Sequence, residues 1–108
     1  MSIDYNGRRF RRLGATDGVV ASYRQDGDLV WAEFTGGHVL RGTLTGLRDE
    51  GDALNFAYTM VLISGEVISG HCVNTPQVRD DGLLVLREQW ERYGDHADSG
   101  VDYLEEVG

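Results

Sequence analysis

Glu88 and Trp90 stand two residues apart in the run LVLREQWER. At strand spacing they share a face with Leu84 and Leu86, against Leu83, Val85, Arg87 and Gln89. A carboxylate on an apolar face must be paired, hydrogen-bonded or protonated. It can then anchor a cationic or hydroxylated ligand, or serve as an acid/base with a raised pKa, which makes Glu88 the candidate catalytic residue. The competing readings are a structural ion pair with Arg8, Arg12 or Arg24, and an outward position after a bulge. Tyr58 shares a face with Leu54, Phe56 and Met60, so it adds a phenol to a large apolar wall. Trp31 and Glu33 alternate with Val30, Ala32 and Phe34, and the two sets compete for the inside: the smaller set suits a crowded interior, the set with Trp31 a ligand cavity. The candidate ligand-binding residues are Trp31, Glu33, Tyr58, Glu88 and Trp90.

Other reactive side chains point to less. His71 and Cys72 are adjacent, so on a strand they face opposite ways and cannot ligate one metal together. With only His38 and His96 besides and no spaced cysteines, no metal site is expected. Cys72 has no base at a useful spacing and reads as a buried, inert thiol. His96, in GDHADSG, is either a lid at a barrel mouth or part of a loop capped by Asp95, Asp98 and Ser99. Neither a serine-histidine-aspartate arrangement nor a phosphate-binding loop is present, and no cofactor is expected.

The elements that carry these residues are short strands. The stretch from Gly27 to Gly46 predicts an antiparallel hairpin turning at Gly36-Gly37, where glycine supplies the positive φ of a tight primed turn. On its return strand Leu40, Gly42, Leu44 and Gly46 share a face, and glycine at every second position marks strong curvature or close approach of another group. Around the hairpin the pattern predicts strands at Arg8 to Leu13 with Phe10 inward, Val19 to Gln25 with Val19, Ala21 and Tyr23 on one face, Ala53 to Ile63, Glu66 to Val73 ended by Pro76, Leu83 to Arg92, and Val101 to Val107. Ile68 and Cys72 join the inward set. Seven or eight strands without an amphipathic helix favour an all-β, antiparallel up-and-down meander closed into a small barrel, which leaves no exposed edge. A barrel of about eight strands is either filled by side chains or holds one small ligand.

The chain of 108 residues is the size of one domain, residues 1–108. No apolar run is long enough to span a membrane, and the opening MSIDYNGRRF lacks the apolar stretch of a secretory signal. With a single cysteine no internal disulfide forms, so a reducing cytoplasm is expected. The net charge of −8 argues against nucleic acid as a partner, because phosphate binding needs clustered cations. Residues 1–12 nevertheless carry four arginines against Asp4, while residues 95–108 carry five acids. Either these ends face each other as neighbouring strands of a closed meander or they are two solvated tails.

The G-x-x-F of Gly7 to Phe10, the G-x-L-x-G of Gly42 to Gly46 and the late Trp90 resemble the calycin type of fold, and within it the avidin-like small barrels. The runs WAEFTGG (Trp31 to Gly37), GHC followed by Pro76, and LREQWERYG (Leu86 to Gly94) resemble a group of small actinobacterial proteins of this length. Members of that group are often labelled N-acetylglutamate synthase. An acetyltransferase of the common type uses a pyrophosphate-cradling glycine-rich turn that opens into a helix. This chain has neither, so the resemblance implies a family and a fold without a reaction. The functional expectation is a small, partly apolar ligand in the lumen. The alternatives are a cyclase or isomerase that uses Glu88, and a filled barrel that acts through its surface as a homodimer.

Overall fold

In the computed structural model, which describes residues 2–15 and 18–108, the period-two pattern becomes eight antiparallel strands. They are β1 (Arg9–Arg12), β2 (Val20–Asp26), β3 (Leu29–Gly36), β4 (Val39–Arg48), β5 (Leu54–Leu62), β6 (Val67–Val78), β7 (Leu84–Arg92) and β8 (Asp98–Glu106). Each pairs with the next and β8 returns to β1, so the sheet closes into the expected up-and-down barrel. One 3-10 turn, Gly94–His96, is the sole helical element among the described residues. None of their helices is long and apolar enough to cross a membrane.

The oppositely charged ends meet at the closing seam. Here β1 faces β8 in the register Phe10↔Glu106, Arg11↔Glu105 and Arg12↔Leu104. Arg11 Nε lies 2.7 Å from Glu105 Oε1, and Arg8 Nη1 lies 2.7 Å from Glu106 Oε1. Glu106 Oε1 also accepts the Leu84 backbone N–H at 3.1 Å, tying β7 to the same seam. Arg11 is half exposed, so its pair contributes about 1 kcal/mol at most. The Arg8–Glu106 pair is better shielded.

Between β3 and β4 the smaller set faces inward: Val30 and Ala32 are buried and Phe34 is half-buried. Across the ladder these oppose Gly46, Leu44 and Gly42, so the Phe34 ring occupies the space that a side chain at position 42 would need. That crowding excludes Trp31 and Glu33, which lie on the outer surface, contrary to the expectation that placed them in a ligand cavity. A Cβ on Gly46 would fall on the Asn55 carbonyl oxygen and 2.5 Å from Phe56 Cα, so β4 and β5 approach there as closely as backbone allows. Both hairpin glycines have positive φ, 122° at Gly36 and 52° at Gly37. Gly36 ends β3, however, and the turn itself is Gly37-His38.

Three further expectations are corrected. Leu40 is exposed, not inward, because the register shifts at β-bulges on both sides of it, between Phe34 and Gly36 and between Val39 and Arg41. A period counted back from Gly42 fails across the extra residue. Pro76 does not end β6, which continues to Val78. The ladder to β5 stops at Leu54↔Asn74, so beyond it β6 is paired on the β7 side alone and tolerates proline as an edge strand does. Finally, β8 begins at Asp98, three residues earlier than expected.

One end of the barrel is stoppered by the N-terminal segment. Tyr5 is fully buried there and packs near Tyr23, whose ring meets Phe10 edge-on at 5.2 Å. Tyr5 Oη donates to the Asp52 carbonyl at 2.6 Å, its N–H donates to Gln25 Oε1 at 2.8 Å, and the Ile3 N–H donates to Asp52 Oδ1 at 2.8 Å. Asp52 has a φ of 66°, held by the Asp49 to Ala53 turn. The sequence reading assigned this stopper no role.

Tyr5→Ala is expected to destabilise the protein by about 3 kcal/mol, the range for deleting a buried aromatic ring. Gly46→Ala is expected to cost about 2 kcal/mol through overpacking. Gly51→Ala, whose Cβ would meet only Asp49 Oδ1 at 3.5 Å, is the neutral control. Urea midpoints at a constant slope check all three.

Candidate functional site

Strict alternation of strand direction puts residues 13–15 and 18–19 and the connections 37–38, 63–66 and 93–97 at the end opposite the stopper. Toward that mouth the barrel is hollow. A cavity of about 580 Å³ is walled by Ala21, Phe34, Leu44, Phe56, Met60, Leu62 and Leu104. Into it also face Tyr58, Cys72, Glu88, Trp90, Asp102, Arg12 and Arg92. The barrel is therefore not filled.

Of the candidate ligand-binding residues, the structure brings Tyr58, Glu88 and Trp90 together in this lumen. Trp31 and Glu33 are on the outside beside a shallow depression with Leu29, Thr43 and Thr45, where Glu33 pairs with Arg41 at 3.1 Å. Among the arginines considered for Glu88, Arg12 is the one that lines the lumen; Arg8 belongs to the seam, and Arg24 is exposed opposite Trp31.

Glu88 lies at the centre of a polar row. In register across three strands, Asn74 of β6 faces Glu88 of β7, which faces Asp102 of β8. Burial pushes the Glu88 carboxyl above the usual carboxylate range, and the Asp102 charge adds to the rise; Asn74 and the Arg12 guanidinium oppose it. Asn74 is fully buried and neither Nδ2 nor Oδ1 is in a hydrogen bond. The amide can donate to an ionised Glu88, which is why Asn74 opposes the rise that burial imposes. The phenol of Tyr23, completely buried, is pushed well up by burial first and then by the nearby Glu88 and Cys72. Burial likewise pushes up the Cys72 thiol, with Glu88 and Asp102 adding to the shift, so the thiol is buried as expected and short of thiolate.

Above the row, nearer the mouth, stands an aromatic and cationic group. Trp90 lies flat on Gly100 of β8, where a Cβ would come within 2.7 Å of its ring. Its Nε1 is covered and without a hydrogen-bond partner. The Arg92 guanidinium carbon is 5.3 Å from the indole centroid, a cation–π distance. Tyr58 Oη donates to the Glu91 carbonyl at 3.3 Å; burial raises its pKa, the nearby Cys72 adds to that, and Arg92 counters.

His96 is at the mouth, its Nε2 2.7 Å from Glu66 Oε2, so it links the connections 93–97 and 63–66. The Ser64 hydroxyl, then His96, holds the Glu66 carboxyl below its ordinary range. His71 faces away from Cys72. No group of three metal-ligating side chains occurs among the described residues.

Sequence reasoning missed Asn74, Asp102 and Arg92. Asn74 lay beyond a strand thought to end at Val73, and Asp102 lay in a strand whose faces were not assigned. Arg92 carried a usable signal, since it follows Trp90 by two positions on the face already read as inward.

The model of a family described as Avidin-like protein matches residues 3–107, from the stopper to the end of the seam. Among curated proteins, none matches the sequence.

A folded-state carboxyl raised above its unfolded value near 4.5 holds an extra proton in the native state. Stability is then lost as pH rises from about that value through the folded pKa. Glu88→Gln, which keeps a donor and an acceptor but cannot ionise, is expected to melt above wild type at pH 8, with the gap closing toward pH 4.5. Paired melting curves across that range check it; equal melting temperatures throughout would mean that Glu88 is not held neutral by its site.

Proposed function

Since the chain belongs to the avidin-like proteins, a family whose model spans all but its outermost residues, we propose that it binds one small, partly apolar molecule in the barrel lumen. The observation that carries this reading is the cavity of about 580 Å³, walled by apolar and aromatic side chains with a few convergent polar groups at its centre. That is the composition of small-molecule sites, and the volume is within their usual range. Tyr58 and Trp90 supply flat apolar contact. Glu88, shifted toward its neutral form by burial, hydrogen-bonds a carbonyl or hydroxyl of the ligand. The protein does this in the cytoplasm, where its single buried thiol stays reduced.

A second reading rests on Glu88 alone. A buried carboxyl with a raised pKa, facing a cavity, is poised to give and take a proton, as a cyclase or isomerase requires. Under that reading Glu88→Gln abolishes turnover of a bound substrate and leaves its binding intact.

Comparison of native and denatured masses of freshly purified protein tests the lumen reading, with N-phenyl-1-naphthylamine as a neutral fluorescent probe of the emptied barrel. The expected outcome is a native mass excess of a few hundred daltons or micromolar uptake of the dye. Ala21→Trp, which fills the lumen, is expected to weaken dye binding at least tenfold. Dye binding that is indifferent to Ala21→Trp would place the site elsewhere and sink the reading.

A further inference from the structure

Among the described residues, two cations in the lumen have no carboxylate partner. Arg12 and Arg92 are the last residues of β1 and β7, both at the mouth end, and they flank β8. Both line the cavity. Five of the ten arginines form ion pairs with acids, at the seam and on the outer surface, yet among the described residues neither Arg12 nor Arg92 has a carboxylate oxygen within 4.0 Å. In a chain of net charge −8 the acids to pair them are plentiful.

Arg92 is also held in place. Its guanidinium carbon lies over the Trp90 ring, 5.3 Å from the centroid, and Trp90 is itself fixed against Gly100. A guanidinium carries its N–H donors in a planar fork. Such a fork fits a carboxylate through two parallel hydrogen bonds. Below it on β7, two inward positions deeper and about 13 Å along the strand, lies Glu88. The space between is bordered by the apolar wall of Phe34, Phe56 and Met60.

Building on the lumen reading, we infer that the ligand is an apolar monocarboxylic acid bound with its carboxylate at the mouth, on Arg92 with Arg12 as a second cation of the lumen wall, and its hydrocarbon or aryl body directed toward Glu88. Asp102, on the strand between the two arginines, sets the limit on charge. Lying at the level of Glu88, it leaves about one net positive charge in the lumen as a whole when Glu88 is neutral, enough for a monoanion and poor for a dianionic phosphate ester. The −8 of the whole chain disfavours the dianion further.

The test is displacement of N-phenyl-1-naphthylamine from the full chain at pH 7.5 by decanoate, decanol and decyl phosphate. The preference for one competitor over another is read within each protein, so that changes in dye affinity cancel. In wild type, decanoate is expected to displace the dye at a concentration about tenfold below decanol and below decyl phosphate, the scale of one charge-assisted hydrogen-bonded contact. Arg92→Gln is expected to reduce the decanoate preference over decanol to less than threefold, and Arg12→Gln to reduce it in part. Arg92→Lys, which keeps the charge without the fork, is expected to fall between Arg92→Gln and wild type. Equal potency of decanoate and decanol in wild type, or a tenfold preference that survives both glutamine variants, overturns the inference while dye uptake preserves the lumen reading. Decyl phosphate outcompeting decanoate overturns the monocarboxylate class. A wild-type chain that takes up no dye overturns the lumen reading and this inference with it.

Discussion

Everything inside this protein depends on the seam between β1 and β8. It is a short ladder, anchored by Arg11 on Glu105 and Arg8 on Glu106, and it turns an eight-stranded ribbon into a closed wall. Without it β1 and β8 would be free edges, with their unpaired backbone groups open to solvent or to another chain. Phe10, Arg12, Asp102 and Leu104, which border the lumen from these two strands, would lose the opposite side of the cavity. The ion pairs themselves are worth little at the surface. Their importance is in register: a slip of one residue would turn the inward and outward faces of β8 around.

Closure creates an inside, and the two ends of the barrel treat it differently. At one end Tyr5, Tyr23 and Phe10 fill the space, and Asp52 anchors the N-terminal segment through its carbonyl and its carboxylate. At the other end the side chains leave a cavity. The asymmetry matters for function because it gives the lumen one mouth and one floor, so a bound molecule has a direction. The pair Glu88–Asp102, backed by the buried Asn74, and the group Trp90–Arg92–Tyr58 then occupy different depths of the same pocket.

The polar row is the costly part of the interior. A fully buried amide without formed hydrogen bonds, next to a carboxyl pushed toward neutrality, is tolerated where the rest of the barrel supplies stability. Burial shifts Glu88 toward its neutral form, which offers the cavity a hydrogen-bond donor where an ionised carboxylate would be an acceptor alone.

Local pattern was enough for much of this. Alternation in Leu54 to Met60 and Leu84 to Trp90 put Tyr58, Glu88 and Trp90 on the inward face. The glycines of Gly42 and Gly46 marked close approach, and the opposite charges of the two ends anticipated the seam. These features are legible because a strand's side-chain period is intrinsic to its backbone. What the sequence alone determined was thus the all-β class and most of the inward set. Tertiary structure decided the rest. The choice between Trp31 and Val30 turned on the Phe34 ring over Gly42, a contact between strands. Leu40 was turned outward by paired bulges, which leave no mark in the residue pattern. Pro76 was tolerated because β5 had already ended, and Asn74 met Glu88 only through the β6–β7 register. Each of these depends on what stands across the ladder, and a one-dimensional pattern records a strand's two faces without saying which one meets its neighbours across the lumen.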